Sequence, residues 1–307
     1  MQFQQLAYFV AVARSRHFTR AAEATGVAQP SLSKQIRALE NSLGVALFVR
    51  GRGGVELTAA GAALLPHARR IVIDVENAER SVREVAGIRR GRVRLGATPS
   101  LCDGLLADAL RRFRDLYPGI ELGVEEGGSR DLTRSLTRGQ LDLALVIVPL
   151  HDEARDLETT PILQETLVLA SRSDADVPDS MPVADLRNEP LVMFREGYDL
   201  REVTMSACHE AGFEPTLSVE GGEMNAVLRF VEAGLGVAVV PSMVLTTRPK
   251  LRGTLLEHPR LERTIALAHR RADILPQAAV AFKHDLIEHL ASLPAESLGD
   301  DLRLLDR

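Results

Sequence analysis

The chain has 307 residues, a net charge of -5 and 45% hydrophobic residues, a composition typical of a folded globular protein and not of a disordered or fibrous one. Its two cysteines exclude a disulfide framework, and the lack of an eighteen-residue apolar run excludes a transmembrane helix. The N-terminal segment has neither a basic region nor a cleavage site, so we expect a cytoplasmic protein without membrane contact.

The charge is divided unevenly along the chain. Residues 1–70 contain nine Lys or Arg and three Asp or Glu, a net charge of about +6, so residues 71–307 carry about -11. A basic head on an acidic body favours binding to nucleic acid, because sequence-independent affinity comes from neutralising phosphates.

Two short helices joined by a glycine turn are predicted near the N-terminus. The first covers Thr19–Thr25 and ends at Gly26, and the second starts near Pro30, which fits the first turn of a helix. The second helix has one apolar stripe, formed by Leu32, Ile36, Leu39 and Leu43. This arrangement predicts a helix-turn-helix.

The opposite face of the second helix carries polar groups that suit DNA. Gln29, Ser33 and Arg37 are spaced four apart, with Lys34 beside them. Amide, hydroxyl and cationic groups are the types that read base edges and phosphates in a major groove. The alternative is an ordinary amphipathic hairpin whose polar face is only solvated.

A hairpin is predicted directly after these helices. Two short apolar runs, Leu47–Val49 and Val55–Leu57, flank a turn rich in Gly and Arg. Arg50 and Arg52 would project from this wing toward backbone phosphates or a minor groove. A winged helix-turn-helix has this feature beside its reading helix.

A long helix follows from Thr58, a suitable N-cap. Apolar residues with a seven-residue period predict a seam between two helices, at Leu64, Ala68, Ile71, Val75, Ala78, Val82 and Val85. The alternative is a helix packed on its own domain. Pro66 predicts a bend near residues 62–66, and Gly87–Gly91 predicts the end of the helix and a hinge.

From Arg92 onward the pattern alternates between strands and helices. Apolar strands separated by helices indicate a buried parallel sheet with helices on both faces. The alternation is interrupted near Pro161–Ala170, and a return strand is predicted at Thr264–Ala268. The fold class is therefore α/β with two lobes and two crossovers, and the charged tail from Pro294 is expected to be frayed.

Four loops that meet strand ends or helix starts are candidates for a ligand site. They contain Thr98 and Ser100, Ser129, the segment from Phe194 through Arg195 to Tyr198, and the pair Met224 and Asn225. Ser100 and Ser129 could hydrogen-bond a ligand or could serve only as N-caps. Arg195 could pair with a carboxylate or could be solvated. Because helix N-termini favour anions, an anionic metabolite is the expected ligand class.

Motifs for other chemistry are missing from the sequence. There is no GxGxxG, phosphate-binding loop, HExxH or CxxC pattern, so no cofactor, metal site or catalytic residue is predicted. Cys102 lies beside the Ser100 loop and is either a redox-sensing thiol or a small buried hydrophobe. A second cysteine, Cys208, is the only one in its lobe.

The stretch from Phe3 to Arg69, which contains FTRAAEATGVAQPSLSKQIRALENSLGVALFVRGRGGVELT, resembles the N-terminal domain of LysR-type transcriptional regulators. The resemblance implies a winged helix-turn-helix at 1–58, a linker helix for dimerisation with its hinge at 59–90, and an effector-binding domain at 91–307. That domain would resemble periplasmic binding proteins, with lobe I at about 91–161 and 268–307 and lobe II at about 162–267. One departure is Ala28, where the family usually has a hydroxyl cap on the recognition helix.

The resemblance implies a non-enzymatic regulator that binds double-stranded DNA at an imperfect inverted repeat. It would act as a homodimer through the linker helix, assemble further into a tetramer and contact RNA polymerase. DNA contacts are expected from Gln29, Pro30, Ser31, Ser33, Lys34, Arg37, Arg50 and Arg52. The competing hypotheses are an enzyme that uses the α/β cleft, which would need a nucleophile–base pair or cofactor motif, and a ligand-independent architectural DNA binder.

Overall fold

The structure is a computed structural model that describes residues 1–51, 54–85, 91–150, 156–271, 275–292 and 302–305. The chain divides into two units, one made chiefly of residues 1–88 and the other chiefly of residues 89–307. The first unit therefore holds both the predicted head and the predicted linker helix.

The first unit consists of four helices and a two-stranded hairpin. Its elements are α1 (Phe3–Ser15), α2 (Phe18–Ala24), α3 (Gln29–Leu43), β1 (Phe48–Gly51), β2 (Gly54–Leu57) and α4 (Ala59–Val85). The apolar stripe of α3 packs against α1, where Phe9 and Val12 are fully buried. Gly26 and Gly44 follow α2 and α3 with φ near +70°, a conformation that glycine adopts at little cost. The helix-turn-helix and the wing hairpin predicted from the sequence are both present.

The second unit begins with an alternation of strands and helices. This part contains β3 (Gly91–Ala97), α5 (Pro99–Leu101), a π-helical turn (Cys102–Leu106), α6 (Ala107–Leu116), β4 (Ile120–Glu126), α7 (Ser129–Thr137) and β5 (Leu143–Val148). Strands β3, β4 and β5 are parallel, with β3 in the middle. Helix α7 packs on β3 and β5 of this sheet.

A single strand of 16 residues, β6 (Leu157–Arg172), then crosses from lobe I into lobe II. Lobe II contains β7 (Ser180–Pro182), a 3-10 helix (Val183–Asn188), β8 (Leu191–Met193), α8 (Asp199–Glu210), β9 (Leu217–Glu220), α9 (Met224–Glu232), β10 (Ala238–Pro241), a second 3-10 helix (Ser242–Leu245) and β11 (Leu251–Glu257). The return crossover is β12 (Glu262–Arg270), followed by α10 (Gln277–Ser292) and β13 (Leu302–Leu304).

The sheet joins the two lobes through these crossover strands. Its order is β4-β3-β5-β12-β6-β11-β7, with β10 and β13 also paired to β6, and β8 and β9 form a separate pair. The prediction of a parallel sheet is correct for β3, β4 and β5 and for β8 and β9, but β10, β11 and β12 run antiparallel to β6. A chain that crosses between lobes and returns must reverse direction, and the apolar pattern does not reveal this.

The tail was predicted incorrectly at one point. Leu302–Leu304 pairs with Leu163–Glu165 of β6, so this part of the tail is an edge strand and is not frayed. Apolar residues Leu302 and Leu304 pack partly against the core of the second unit. The proposed hinge at Gly87–Gly91 falls almost entirely outside the described residues.

Candidate functional site

The N-terminal end of α3 is the exposed polar surface of the head. Gln29, Pro30, Ser31, Lys34 and Arg37 are all exposed. The helix starts after Ala28, which makes no side-chain cap, and has Pro30 in its first turn. These side chains are therefore accessible to a partner that approaches the start of the helix.

Ser33 does not belong to this exposed surface. Its residue is only 3% exposed, and its hydroxyl accepts a hydrogen bond of 2.9 Å from the Gln29 amide. Ser33 is therefore much less accessible than its neighbours on α3, and the expectation that it contacts bases stays a prediction. A spacing of four places residues on one side of a helix, but these residues need not be equally exposed, and Ser33 is buried. Ser33 instead orients Gln29.

The wing is attached to the end of the reading helix by a carboxylate. Glu40 Oε1 accepts hydrogen bonds from the backbone N–H groups of Leu47 (2.8 Å) and Phe48 (3.3 Å). Thr58 Oγ1 donates to Ala46 O and accepts from the N–H of Gly61, so it both caps α4 and holds the start of the wing. Arg52 lies outside the described residues, and so does the side chain of Arg50.

Gly61 allows α4 to lie directly on the backbone of the wing. A Cβ at this position would lie 2.2 Å from the carbonyl oxygen of Leu47, well inside van der Waals contact. Only glycine permits this approach without a shift of the backbone. Gly61 therefore determines how closely α4 and the wing can pack.

The apolar residues of α4 are divided between two roles. Leu64 and Ala68 pack into the core of the head, together with α1. Farther along, Ile71 is 38% exposed, and Ala78 is also exposed. Ala68 is fully buried in the head and so is not available to a second helix, and the seam itself stays a prediction. The helix includes Pro66, and the side chains of Val82 and Val85 lie outside the described residues.

Ser100 and Thr98, after strand β3, take part in a buried polar network on the crossover strands. Arg263 of β12 donates from Nη2 to Ser100 Oγ (2.9 Å) and to Glu165 Oε2 of β6 (2.7 Å). Thr98 Oγ1 lies 3.3 Å from Ser100 Oγ. Glu165 Oε1 accepts from the N–H of Met243 in lobe II, so the network reaches both lobes. A buried ion pair of this kind is stable only because its remaining hydrogen bonds are satisfied.

Ser129, the first residue of α7, connects the two lobes. Its hydroxyl donates a hydrogen bond of 2.6 Å to Asp199 Oδ2 at the start of α8, and it accepts one from the N–H of Ile147. Beside it, Arg130 of α7 pairs with Glu202 of α8 at 2.9 Å. The N-terminal turns of α7 and α8 therefore meet at the cleft between the lobes.

The segment after β8 adds an aromatic pair and a paired arginine. The Phe194 and Tyr198 rings are stacked, with centroids 4.8 Å apart. Arg195 donates to Glu223 at 2.8 Å and lies 3.8 Å from Asp131 of α7. Arg195 is thus paired with carboxylates of the chain itself, and its pairing with a ligand carboxylate stays a prediction.

Met224 and Asn225 do not join this cluster of polar contacts. Met224 is fully buried in the core of the second unit. Asn225 is exposed, and its amide oxygen accepts from Arg248 Nη2 at 2.6 Å. The structure thus brings Thr98, Ser100, Ser129, Arg195 and Tyr198 to the cleft and leaves these two apart.

Sequence reasoning missed four residues of this site: Glu126, Glu165, Asp199 and Arg263. Glu165 and Arg263 are charged residues within long apolar strands, which is a signal of a buried pair that could have been used. Asp199 directly follows Tyr198 in the sequence, and Glu126 lies at the end of β4, three residues before Ser129.

Burial changes the acidity of three groups in the second unit. It raises the pKa of Tyr198 well above its usual range, an effect that Arg263 opposes and that Glu223, Asp199 and Glu126 strengthen. Burial also raises the pKa of the Cys102 thiol to about 11, with smaller contributions from Glu126 and Asp103. It raises that of Cys208 to about 11, with a smaller contribution from Glu214. Both thiols are therefore protonated at neutral pH, which favours the interpretation of Cys102 as a small buried hydrophobe over that of a reactive thiol.

The described residues contain no group of three or more His, Cys, Asp or Glu that could hold a metal ion. Over the same parts of the chain, no helix combines the length and apolar character needed to cross a membrane.

Comparisons with known proteins match both units. A family model described as a bacterial regulatory helix-turn-helix protein of the lysR family matches residues 3–62, and one described as a LysR substrate binding domain matches residues 86–291. The transcriptional dual regulator GltC of Bacillus subtilis is 31% identical over 303 residues, which cover 95% of this chain and 99% of GltC. The transcriptional dual regulator OxyR of Escherichia coli is 31% identical over 275 residues, covering 88% of this chain and 90% of OxyR.

Solved structures show the same architecture. Full-length CbnR in complex with its target DNA is 27% identical, with a TM-score of 0.70, and the match covers 94% of this chain and 100% of CbnR. A full-length OxyR variant from Pseudomonas aeruginosa is 24% identical, with a TM-score of 0.72, and the match covers 95% of both chains. At this identity the match shows only that the two proteins share a fold.

Proposed function

The chain belongs to the LysR family of bacterial regulators, and from that premise we propose that it controls transcription as a homo-oligomer at an imperfect inverted repeat. It is a DNA-binding transcriptional regulator with an effector-binding domain. A protein that acts on the bacterial chromosome works in the cytoplasm, where we place it.

The exposed start of α3 beside an anchored wing is the observation that supports the DNA-reading part of the proposal. Gln29, Lys34 and Arg37 present amide and cationic groups from one accessible surface. We assign Gln29, Pro30, Ser31 and Lys34 to base edges and Arg37 to phosphates. The wing residues Arg50 and Arg52 would contact the flanking backbone or minor groove, which would add affinity that depends on salt rather than on sequence.

Dimerisation through α4 supports recognition of two half-sites. Ile71 and Ala78 are exposed beyond the part of α4 that packs on the head. Burial of this apolar surface against the same helix of a second chain would pair two heads, and an isologous pair requires a two-fold symmetric DNA site. A tetramer would then bind two such sites, and contact with RNA polymerase would follow at promoters that it activates.

A small molecule in the cleft between lobes I and II would regulate this binding. Thr98, Ser100, Ser129, Arg195 and Tyr198 lie where polar groups from both lobes meet. A ligand that binds one arrangement of the lobes better than another shifts the balance between them, a coupling typically of about 1–3 kcal/mol. We propose that the cleft binds this molecule without transforming it and that no metal or cofactor takes part.

The experiment that tests the proposal is genome-wide occupancy of the tagged protein in its source cells, followed by footprinting of the strongest site. We expect a compact inverted repeat beside a promoter. Diffuse occupancy by a folded, dimeric protein would contradict sequence-specific reading. Size-exclusion chromatography with light scattering would measure the oligomer, and a monomer would contradict the role of α4.

A further inference from the structure

The C-terminal strand β13 pairs with the middle of the crossover strand β6. Leu302–Leu304 runs antiparallel to Leu163–Glu165, and the N–H of Leu305 donates to the carbonyl oxygen of Ile162 at 3.1 Å. The same residues of β6 pair with β12 on their other edge. The crossover is therefore three strands wide at this point, with β6 in the middle.

The pairing of β13 lies where β6 passes from one lobe to the other. Strand β6 pairs with β12 as far as Thr166, and it pairs with β10 and β11 of lobe II from Leu167 onward. The pairing of β13 extends to Glu165, directly before this exchange of neighbouring strands. A change in the angle between the lobes has to bend or twist the chain at this exchange. Strand β13 therefore lies beside the hinge.

Strand β13 also covers the irregularity in the crossover. The register of β6 against β12 passes over Ile162, which is the extra residue of a bulge opposite Ile265 and Ala266. A bulged residue is left out of the regular ladder, and the local twist of its strand increases. Here the carbonyl oxygen of Ile162 accepts from Leu305 instead. The point at which the ribbon of β6 and β12 twists most easily is thus hydrogen-bonded from its other edge.

Side chains on both faces of β13 tie it to its neighbours. On the exposed face, the Gln164 amide of β6 accepts from Arg303 Nη2 at 2.6 Å and donates to Glu262 of β12. Gln164 therefore links all three strands. On the other face, Leu302 and Leu304 are partly buried against the hydrophobic core of the second unit.

We propose that β13 is a strap on the inter-lobe hinge, which holds the crossover at one twist and so limits rotation of lobe II against lobe I. A third paired strand opposes twisting at the bulge, because two-stranded ribbons twist more than wider sheets. The strap has only three residues, so it can leave the crossover without unfolding either lobe. Its release would allow other arrangements of the lobes. This inference goes beyond the proposed function, since it holds whether or not an effector binds.

Hydrogen exchange of the full-length protein, resolved by peptide with mass spectrometry, tests the strap against a role that only covers β6. One variant stops after Asp300 and lacks β13. A milder variant, Leu302→Ala with Leu304→Ala, keeps the backbone and removes the apolar packing of the strand. Arg303→Ala is the matched control, because it shortens an exposed side chain of the same strand.

Both strap variants should exchange faster than the unchanged protein at two places. The first is the segment of β6 at residues 162–165, which loses its partner strand. The second is the pair of N-terminal turns of α7 and α8, which Ser129 and Asp199 join across the lobes and which take no part in the pairing of β13. Because rotation of the lobes separates these turns, we expect their exchange to be about fivefold faster or more. The control should change at neither place.

Faster exchange confined to residues 162–165 would overturn the inference, since β13 would then only cover the edge of β6. Unchanged exchange in the strap variants, or an equal change in the control, would overturn it as well. Faster exchange throughout the second unit with a lower Tm would show that β13 stabilises the whole unit and not the hinge. If the shortened chain does not fold, the double substitution decides. Operator binding, measured separately by fluorescence anisotropy, shows whether the regulator function stands when the strap does not.

Discussion

The Ser129 hydroxyl donates a hydrogen bond of 2.6 Å to the Asp199 carboxylate, and this bond joins the first turns of α7 and α8 across two lobes. Each residue lies at a helix N-terminus, where a negative charge is favourable. Asp199 can stabilise both helix ends at once because they meet at the cleft. The bond therefore stabilises one relative arrangement of the lobes from within the chain.

We predict that Ser129→Ala loosens this arrangement. A hydrogen bond to a charged group contributes about 1.5–3 kcal/mol, and Ser129 is buried, so little water can replace it. Hydrogen exchange should become faster at the N-terminal turns of α7 and α8. Arg130→Ala is the matched control, because its exposed pair with Glu202 contributes about 1 kcal/mol or less. Equal acceleration in both variants would contradict a special role for Ser129.

Lys34→Ala should reduce operator affinity selectively. Loss of one base contact costs about 1–3 kcal/mol of discrimination, so operator binding should weaken about tenfold while binding to a scrambled duplex changes little. Arg37→Ala, a phosphate contact in the proposal, should weaken binding to both duplexes and lower the salt dependence. Fluorescence anisotropy at several salt concentrations measures both effects. Equal losses on operator and scrambled DNA would refute a base-reading role for Lys34.

Gly61→Ala should destabilise the head and disturb the wing. The new methyl group would lie 2.2 Å from the Leu47 carbonyl oxygen, which is backbone and cannot move aside as a side chain could. Overpacking of this kind costs about 1–3 kcal/mol or more, visible as a lower midpoint in urea unfolding. Ala62→Ser, at the exposed neighbouring position, should change stability by no more than about 0.5 kcal/mol. Equal midpoints for the two variants would show that α4 can shift away from the wing.

The two thiols should resist alkylation and make the fold sensitive to alkaline pH. The pKa of each is raised by burial from 9.0 to about 11, so the folded state binds these protons more tightly than the unfolded state. Their contribution to stability is complete below about pH 9 and is lost as the pH rises toward about 11. Urea unfolding across this range, compared with Cys208→Ala, measures the effect. Rapid iodoacetamide labelling of the folded protein at pH 7 would contradict it.

Periodicity predicted the head well because one stripe of α3 is buried and because Gly26 and Gly44 follow the ends of α2 and α3. It did not reveal that Ser33 is buried, since residues spaced four apart share a side of the helix but not an equal distance from the core. The apolar period of α4 has a related limit. It shows that something covers these residues but not what covers them, and Leu64 and Ala68 pack on the core of the head.

For the cleft, the sequence located the loops but not the groups that pair within them. Ser100, Ser129 and Tyr198 follow strand ends or precede helices, which local patterns can reveal. Their partners Arg263 and Asp199 are distant in sequence, and only the crossover topology brings them close.

The crossover strands determine where the second unit can flex. Strand β6 is continuous over 16 residues, and its first part is hydrogen-bonded to β12. The chain therefore passes from lobe I to lobe II along a paired strand and not through a loop. The register between them shifts at Ile265 and Ala266, opposite Pro161, which has no N–H to donate. A bulge concentrates twist in an otherwise stiff ribbon. Rotation of one lobe against the other would therefore twist the ribbon formed by β6 and β12 near this bulge. Such a twist would be opposed by the paired strands and would have a limited amplitude.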